Sequence, residues 1–473
     1  MRPASTALSW AGYWLEARVL LKLALPILIA QWAITGLGLV DTVMSGRVGT
    51  DDLAAIGLGS SLFFPVMMVP MGILLALTPL VSKRFGQDDP EKIKHYLQQG
   101  LWLALPLGAL AMVGLFNLDW VLDRLSLTPN VYALTSDYLF YVAFGLPGLV
   151  LFFTLRFFWE GLSLTWPTMV ISVGALAINV PLNALFIYGW GPVPAMGAAG
   201  CGVASSLVMW GMLLAGVMYL RRAPQARALL PGVLQAHLGR GQKRLERPYW
   251  QGGMRDIMAL GVPNMLALLF EVSLFSLISV FIAQLGTQVI AANQVVMSYT
   301  SMAFMVPLSL SLAVSVRVGT ALGQGSLTAL RLSVRTGLVL ALGISVVIAG
   351  VTGFARGPIA EYYTQDPAVI EIVVGLLLLA ASYQVFDAIQ VTTAGILRGL
   401  HNTQTTMWVT LLSYWVLGMG GGYIMAFTDA WMPPQGVAGF WQGILIGLML
   451  AAILLQVKLR FLQKQLIKSG QVV

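Results

Sequence analysis

The chain contains twelve apolar runs of about 20 residues or more, separated by short polar segments. A helix of about 20 apolar residues crosses the hydrocarbon core of a bilayer. In lipid, every backbone polar group must be hydrogen-bonded within the protein, which favours helices. We therefore predict an all-α polytopic membrane protein with twelve transmembrane helices. The predicted spans lie near residues 20–45, 53–82, 97–118, 131–155, 167–189, 197–220, 256–284, 289–316, 333–354, 368–395, 405–428 and 436–457.

Composition supports this class, since 58% of the residues are hydrophobic and only 10% are charged. A soluble domain carries about 25% charged residues. The net charge of +8 could indicate nucleic-acid binding. In a membrane protein, however, positively charged loops stay in the cytoplasm, and this explains the basic excess. We expect the lipid bilayer as a partner and no nucleic acid.

The distribution of Lys and Arg predicts the orientation in the membrane. If the twelve spans alternate in direction, 24 of the 27 basic residues lie on the side that holds both termini. The opposite side carries only Arg47, Arg124 and Arg356. Because positively charged loops stay in the cytoplasm, we expect a multi-pass protein of the cytoplasmic (inner) membrane with both termini in the cytoplasm.

The two halves of the chain resemble each other at a shift of 237 to 239 residues. Pro26 in LALPILIA corresponds to Pro263 in LGVPNMLA, and further prolines and glycines correspond at nearly the same shift. Six spans separate the repeats, so we predict two six-helix lobes related by a pseudo-two-fold axis along the membrane normal. The lobes are residues 1–220 and 256–473, joined by a cytoplasmic linker at 221–255. Two facing lobes suggest a central cleft that opens alternately to each side of the membrane.

Three carboxylates lie inside predicted spans: Asp41 in the first, Glu271 in the seventh and Asp387 in the tenth. At the repeat shift each aligns with an apolar residue, so duplication does not account for them. A charge at mid-membrane costs about 2.5–3.5 kcal/mol on insertion scales, and such residues usually have a function. Each carboxylate can take up a proton, because burial disfavours the charged form, or it can bind a cation. A neutral acid that hydrogen-bonds to a neighbouring helix is the structural alternative.

Asp387 has polar companions at helical spacing, namely Tyr383, Gln384 and Gln390. Oxygen-rich faces of this kind suit a hard cation such as Na⁺. Gln384 is also a candidate for the substrate cavity. The other candidates for that cavity are Asn179 and Asn183 in the fifth span, and Asn293, Gln294 and Tyr299 in the eighth.

The arginines and the single cysteine within the spans do not indicate a further functional site. Arg156 and Arg398 lie near the cytoplasmic ends of spans, where we expect their side chains to snorkel towards water. We interpret Cys201, the single cysteine, as a small apolar packing residue. The chain has no phosphate-binding loop and no histidine-rich metal motif, so we predict neither an enzyme nor a cofactor.

Three motifs resemble those of multidrug and toxic compound extrusion (MATE) transporters. They are VDTVMSGRVGTDDLAAIGLG at 40–59, PLSLSLAVSVRVGTALGQG at 307–325 and YQVFDAIQVTTAGILRGLHNTQ at 383–404. The likeness extends over nearly the whole chain. FEVSLFSL with Glu271 and YQVFDAIQ with Asp387 resemble the NorM-type branch, which is largely sodium-coupled.

The resemblance implies roles for the polar residues. Glu271, Asp387 and Tyr383 would lie in or near the cation site of the C-terminal lobe, and we predict that Na⁺ binds there at Glu271 and Asp387. Asp41 would belong to a polar cavity of the N-terminal lobe, together with the two asparagines of the fifth span. Some proton-coupled relatives have a second carboxylate on that span, whereas this chain has Ala184 beside the asparagines. This difference weakens a mechanism that uses protons alone.

We therefore expect a monomeric antiporter that exports amphiphilic, often cationic small-molecule drugs by alternating access. Inward flow of Na⁺ would drive export, with H⁺ as the alternative coupling ion. A flippase for a lipid-linked saccharide is the second hypothesis, because it would share the twelve-helix architecture. It would need a large basic cleft for pyrophosphate, whereas these spans carry acids in their middles.

Overall fold

The computed structural model describes residues 9–125, 127–222, 248–429 and 433–470. These residues are mostly helical, and the only β-bridge among them joins Trp190 and Val193. The first nine helices are α1 Trp10–Gly46, α2 Thr50–Leu74, α3 Leu77–Gly86, α4 Pro90–Phe116, α5 Asp119–Leu122, α6 Pro129–Ala143, α7 Leu146–Gly161, α8 Trp166–Tyr188 and α9 Gly197–Arg222. The later ones are α10 Arg255–Ile282, α11 Thr287–Gly323, α12 Leu327–Phe354, α13 Arg356–Tyr363, α14 Pro367–Gly399, α15 Thr403–Thr410, α16 Gly422–Phe427 and α17 Val437–Lys468.

Three shorter segments complete the described helical structure. Ala283–Leu285 forms a 3₁₀ turn after α10, and Leu411–Gly421 forms a π-helix between α15 and α16. A third segment, Trp250–Met254, leads into α10 and has non-helical backbone angles at Gln251 and Gly252.

The twelve predicted spans are confirmed. Within the described residues, eleven helical segments are long and apolar enough to cross a membrane, and a bent pair formed by α6 and α7 makes a twelfth. Each overlaps one predicted span. Several helices extend past the apolar runs: α1 begins at Trp10, and α17 continues to Lys468. Polar residues can continue a helix beyond the hydrocarbon, so hydropathy alone underestimates its length.

The fourth span is bent rather than continuous. Helices α6 and α7 meet at an angle of 46°, with Phe144 and Gly145 between them. Pro147 in the first turn of α7 lacks an N–H group, which interrupts the helical hydrogen bonds. Side chains of α9 supply donors at the bend: Ser206 bonds the carbonyl of Tyr141, and Trp210 bonds that of Phe144. The bend thus has its backbone acceptors satisfied inside the membrane region.

The chain forms two compact units. One comprises Pro26–Met265, and the other comprises the residues up to Leu25 together with those from Leu266 onward. The division falls at Pro26 within α1 and shortly after Pro263 within α10. Each of these helices therefore contributes its first part to one unit and its remainder to the other.

The lobe boundaries 1–220 and 256–473, inferred from the repeat, stay a prediction. The two compact units are defined by contacts between residues, whereas the repeat is defined by similarity between the two halves of the sequence. Most of the predicted linker, residues 223–247, lies outside the described residues.

A charged clamp fastens the first part of α1 within its unit. The Glu16 carboxylate accepts hydrogen bonds from Nε and Nη2 of Arg317 at 2.9 and 2.7 Å, and from the Ser333 hydroxyl at 2.6 Å. Glu16 is buried, and the apolar residues that follow it, Leu20 and Leu23, join a core with α11, α12, α14 and α17. A bidentate arginine–carboxylate pair fixes geometry as well as charge. This contact therefore determines where α1 lies against α11 and α12.

Replacement of Glu16 by Gln should destabilise the protein. The amide keeps the shape of the side chain but leaves Arg317 without its charged partner, and we expect a loss of about 2 kcal/mol, typical of a hydrogen bond to a charged group. Thermal unfolding of the detergent-solubilised protein would measure it. Glu361→Gln, at an exposed position of α13, is the control. Equal unfolding temperatures for the two variants would contradict the role of the clamp.

Candidate cation and substrate sites

Asp41 on α1 lies in a buried cluster of hydrogen-bond donors in the unit Pro26–Met265. Its Oδ1 atom accepts from Nδ2 of Asn183 at 2.6 Å and from Nδ2 of Asn179 at 3.2 Å. Its Oδ2 atom accepts from the Ser205 hydroxyl at 3.0 Å. Asp41 is 7% exposed, and both asparagines are fully buried. The structure thus brings together the aspartate and the two asparagines that the sequence had placed in one polar cavity.

Helical spacing explains how the two asparagines reach one carboxylate. Asn179 and Asn183 are one turn apart on α8, which remains helical through Pro181. Asn183 also donates to Oδ1 of Asn179 at 3.1 Å, so the pair forms a single unit. Its own Oδ1 atom is buried and has no hydrogen-bond partner among the described residues. This oxygen could bind a cation held at Asp41.

Two residues of α9 belong to this cluster and were missed as site residues. Ser205 bonds Asp41 directly, and the thiol of Cys201, one turn earlier, also hydrogen-bonds to Asp41. Cys201 is fully buried, as expected of a packing residue, and its thiol also lies among Asp41, Ser45 and Ser205. The four-residue spacing of Cys201 and Ser205 was the available signal, but the sequence does not show which helix they face.

The second site lies in the other unit, on α14 and α10. Asp387 is 8% exposed, and Tyr383, Gln384 and Gln390 are buried beside it, as the helical spacing predicted. Glu271 on α10 is half-buried, and its charge interacts with that of Asp387. The structure therefore brings Glu271, Asp387 and Tyr383 together. Two carboxylates in one buried region repel each other unless a proton or a cation lies between them.

Tyr383 is held by aromatic packing. Its ring lies 5.7 Å from that of Trp441, and the Trp441 indole donates to Oδ1 of Asn293 at 3.1 Å. The Tyr383 hydroxyl hydrogen-bonds to Thr300. Asn293, predicted in the substrate cavity, is thus buried and bonded to the tryptophan that packs against Tyr383.

Two more cavity candidates belong to a chain of hydrogen bonds across three helices. The Thr352 hydroxyl donates to Oε1 of Gln384 at 3.0 Å and pairs with the Tyr299 hydroxyl at 2.9 Å. Gln294, by contrast, is exposed. The described residues therefore place Asn293 and Gln384 in packed positions, and the substrate-cavity role of this group stays a prediction.

The snorkelling predicted for two arginines is wrong. Arg156 is 3% exposed and donates to Oε1 of Glu160 and to Oε1 of Gln31, each at 2.8 Å. Arg398 is 6% exposed, and its charge interacts with that of Glu271. Buried guanidinium groups need acceptors, and both side chains turn inward because the fold supplies carboxylates. The Glu160 partner is visible as an i+4 pair in the sequence, whereas Glu271 lies on a different helix.

In the described part of the chain, up to twelve membrane spans with carboxylates inside them define a polytopic membrane protein with the polar sites typical of a transporter. The family model described as MatE matches residues 26–185 and 263–424. The chain therefore belongs to the MatE family, and the curated relatives described next show that it is a transporter of the NorM type. The matched segments are offset by 237 residues at their starts and by 239 at their ends, the same shift as in the internal repeat.

Curated relatives match almost the full length of the chain. It is 41% identical over 449 residues to the "Probable multidrug resistance protein NorM" of Shewanella oneidensis, with 95% of both chains covered. It is 40% identical over 454 residues to the "Multidrug resistance protein MdtK" of Yersinia pseudotuberculosis, with 96% of this chain and 97% of the relative covered.

Solved structures share the fold. The eukaryotic MATE transporter AtDTX14 superposes with a TM-score of 0.85 at 19% identity, covering 97% of this chain and 99% of that one. An outward-facing multidrug resistance MATE transporter gives a TM-score of 0.81 at 19% identity, covering 96% of this chain and 97% of that one. This similarity confirms the predicted fold class.

Asn183→Ala should impair transport, because it removes the shortest hydrogen bond to Asp41. Loss of a hydrogen bond to a charged group costs about 1.5–3 kcal/mol, so we expect the transport rate to fall by about tenfold or more. Efflux of a fluorescent dye from cells that express equal amounts of each variant measures the effect. Asn130→Ala is a matched control, since Asn130 bonds Asp51 at the same 2.6 Å distance but on the exposed surface. Equal efflux by the two variants would exclude a transport role for this cluster.

Proposed function

We propose that this transporter is a multidrug antiporter that exports amphiphilic, often cationic compounds in exchange for an inward cation. The names of the NorM and MdtK relatives support the substrate class. The observation that carries the coupling is the pair Glu271 and Asp387, whose charges interact inside a membrane-spanning unit. We prefer Na⁺ as the coupling ion, with H⁺ as the alternative.

The carboxylate pair provides a physical basis for exchange. A monovalent cation bound between the two groups offsets their mutual repulsion. Without that cation, their negative charge favours a cationic drug. If the cation and the drug bind competitively, each lowers the affinity for the other by the same factor. Cation entry from outside would then release the drug outward, and the vacated site would accept another drug from the cytoplasm.

The choice of Na⁺ rests on the chemistry of the oxygen atoms. Carboxylates, hydroxyls and amide carbonyls are the ligands that hard cations prefer, and Asp387 has Tyr383, Gln384 and Gln390 at helical spacing on its own helix. The Asp41 cluster offers asparagines, a serine and a cysteine but no second carboxylate. This set of ligands gives less support to a mechanism in which a proton passes between two acids.

The flippase alternative has less support from the structure. Such a protein needs free basic groups for pyrophosphate. The two arginines that lie buried within the described residues, Arg156 and Arg398, each interact with a carboxylate. Orientation also stays a proposal: the distribution of basic residues supports cytoplasmic termini and the inner membrane. We further propose that a monomer is the functional unit.

Asp387→Asn should abolish coupled transport, because the amide keeps the size of the side chain but removes its charge. The measurement is cation-gradient-driven uptake of an ethidium-like dye into inverted vesicles. Asp366→Asn is the control on the same helix, where the side chain caps an exposed N-terminus at Ala368. Undiminished uptake by Asp387→Asn would refute the role of the pair.

The coupling ion can be identified at fixed pH. We expect dye efflux to accelerate when an inward Na⁺ gradient is imposed and to slow when it is removed. Proteoliposomes with and without the gradient, at equal pH on both sides, provide the comparison. Efflux that follows a pH gradient and ignores Na⁺ would assign the coupling to protons.

A further inference from the structure

The π-helix Leu411–Gly421 lies between α15 and α16 in the unit that holds Glu271 and Asp387. It covers 11 residues, whereas π-helical segments are rare and occur mostly as single turns, frequently at functional sites. Its hydrogen bonds skip one more residue than those of an α-helix, which changes the direction of every side chain that follows. Such a segment persists only where tertiary contacts stabilise it.

Glycines of α17 supply those contacts. A methyl group at Gly447 would lie 2.5 Å from the carbonyl oxygen of Ser413, and one at Gly443 would collide with the carbonyl oxygen of Gly418. The two glycines are one turn apart, so one face of α17 lies directly against the π-helical backbone. Close backbone packing of this kind needs small residues. It fixes the position of the π-helix.

The other side of the π-helix reaches the carboxylate site. The Trp415 indole donates to the carbonyl oxygen of Phe270 at 3.2 Å, one residue before Glu271. Tyr414, the neighbour of Trp415, is 2% exposed and packs in the same apolar cluster as Tyr383. It interacts electrostatically with Glu271, Asp387 and Tyr383.

The Tyr414 hydroxyl has no hydrogen-bond partner among the described residues. Buried hydroxyl groups are nearly always hydrogen-bonded, and an exception needs an explanation. Packing alone would be served equally well by phenylalanine. A buried hydroxyl that has no partner, in the same cluster as Tyr383 and within electrostatic range of two carboxylates, indicates a ligand that binds there.

We propose that Tyr414 is a further ligand of the cation site, and that its hydroxyl oxygen binds the coupling cation together with the carboxylates of Glu271 and Asp387. This inference rests on the proposed sodium coupling. A neutral oxygen is a suitable ligand for Na⁺. It adds no third negative charge to a site that already holds two. A neutral phenol does not itself take up a proton at ordinary pH, so its oxygen would act as a ligand for the cation rather than as a proton acceptor.

Two substitutions separate the oxygen of Tyr414 from its ring. Tyr414→Phe keeps the ring and removes the oxygen, whereas Tyr414→Gln keeps a neutral oxygen and removes the ring. Tyr423→Phe is the control: this residue follows the π-helix on α16, and its ring packs against Phe281 and Phe427. Asp387→Asn serves as the variant that lacks the proposed cation site. Size-exclusion profiles and unfolding temperatures of the full-length protein establish that each variant folds.

The measurement is a Na⁺ titration of tryptophan fluorescence in detergent, at constant ionic strength with choline as the replacement ion. We expect Tyr414→Phe to raise the half-saturating Na⁺ concentration by about fivefold or more, a tenfold change being 1.4 kcal/mol. Tyr423→Phe should match the wild type, and Asp387→Asn should show no saturable response. Tyr414→Gln should bind Na⁺ more tightly than Tyr414→Phe, because it restores an oxygen.

The failures of the two proposals are distinguishable. If the wild type responds to Na⁺ and Tyr414→Phe titrates identically, Tyr414 is not a ligand, while the carboxylate site stands. If Tyr414→Gln binds Na⁺ more weakly than Tyr414→Phe, the ring matters and the oxygen does not, which also overturns the inference. If the wild type shows no response to Na⁺, both sodium coupling and the role of Tyr414 as a ligand are refuted.

Discussion

The cost of a carboxylate in a membrane-spanning helix is the constraint on which the polar part of this structure depends. The fold meets this cost in two different ways. Asp41 is surrounded by donors from Asn179, Asn183, Ser205 and Cys201, so both of its carboxylate oxygens are hydrogen-bonded within the protein. Glu271 and Asp387 interact with each other instead, and such a pair needs a proton or a cation. The two sites therefore have different chemistry.

Irregular backbone occurs inside the membrane region of both units. The bend between α6 and α7 exposes carbonyls that side chains of α9 then satisfy. The π-helix Leu411–Gly421 delivers Tyr414 and Trp415 towards the carboxylate pair, and glycines of α17 make room for its backbone. Non-helical or widened backbone is tolerated at membrane depth only where protein buries it. Packing thus permits the irregularities, and the irregularities shape the sites.

Predictions from the sequence succeeded where one helix carries the information. The apolar runs predicted all twelve spans, and the spacing of Tyr383, Gln384 and Gln390 predicted their burial beside Asp387. The predictions failed where the hydrogen-bonding or charged partner of a side chain lies on another helix. The contact of Cys201 with Asp41 and the burial of Arg398 near Glu271 depend on which helix faces face each other, and periodicity within a helix carries no information about that choice.

The sequence by itself determined the class of protein, the number of spans, the internal repeat and the identity of the intramembrane acids. The class, the number of spans and the position of the acids within them follow from hydropathy, because the bilayer imposes the same length and polarity on every span. The repeat follows from prolines and glycines that match at one shift. Only the tertiary structure decided which groups each intramembrane carboxylate contacts. In the folded chain the fourth span is bent, Tyr414 lies in a π-helix, and the side chains of Arg156 and Arg398 are buried. Such outcomes depend on packing between helices, where a few small residues and a few hydrogen bonds select one arrangement among many that hydropathy allows.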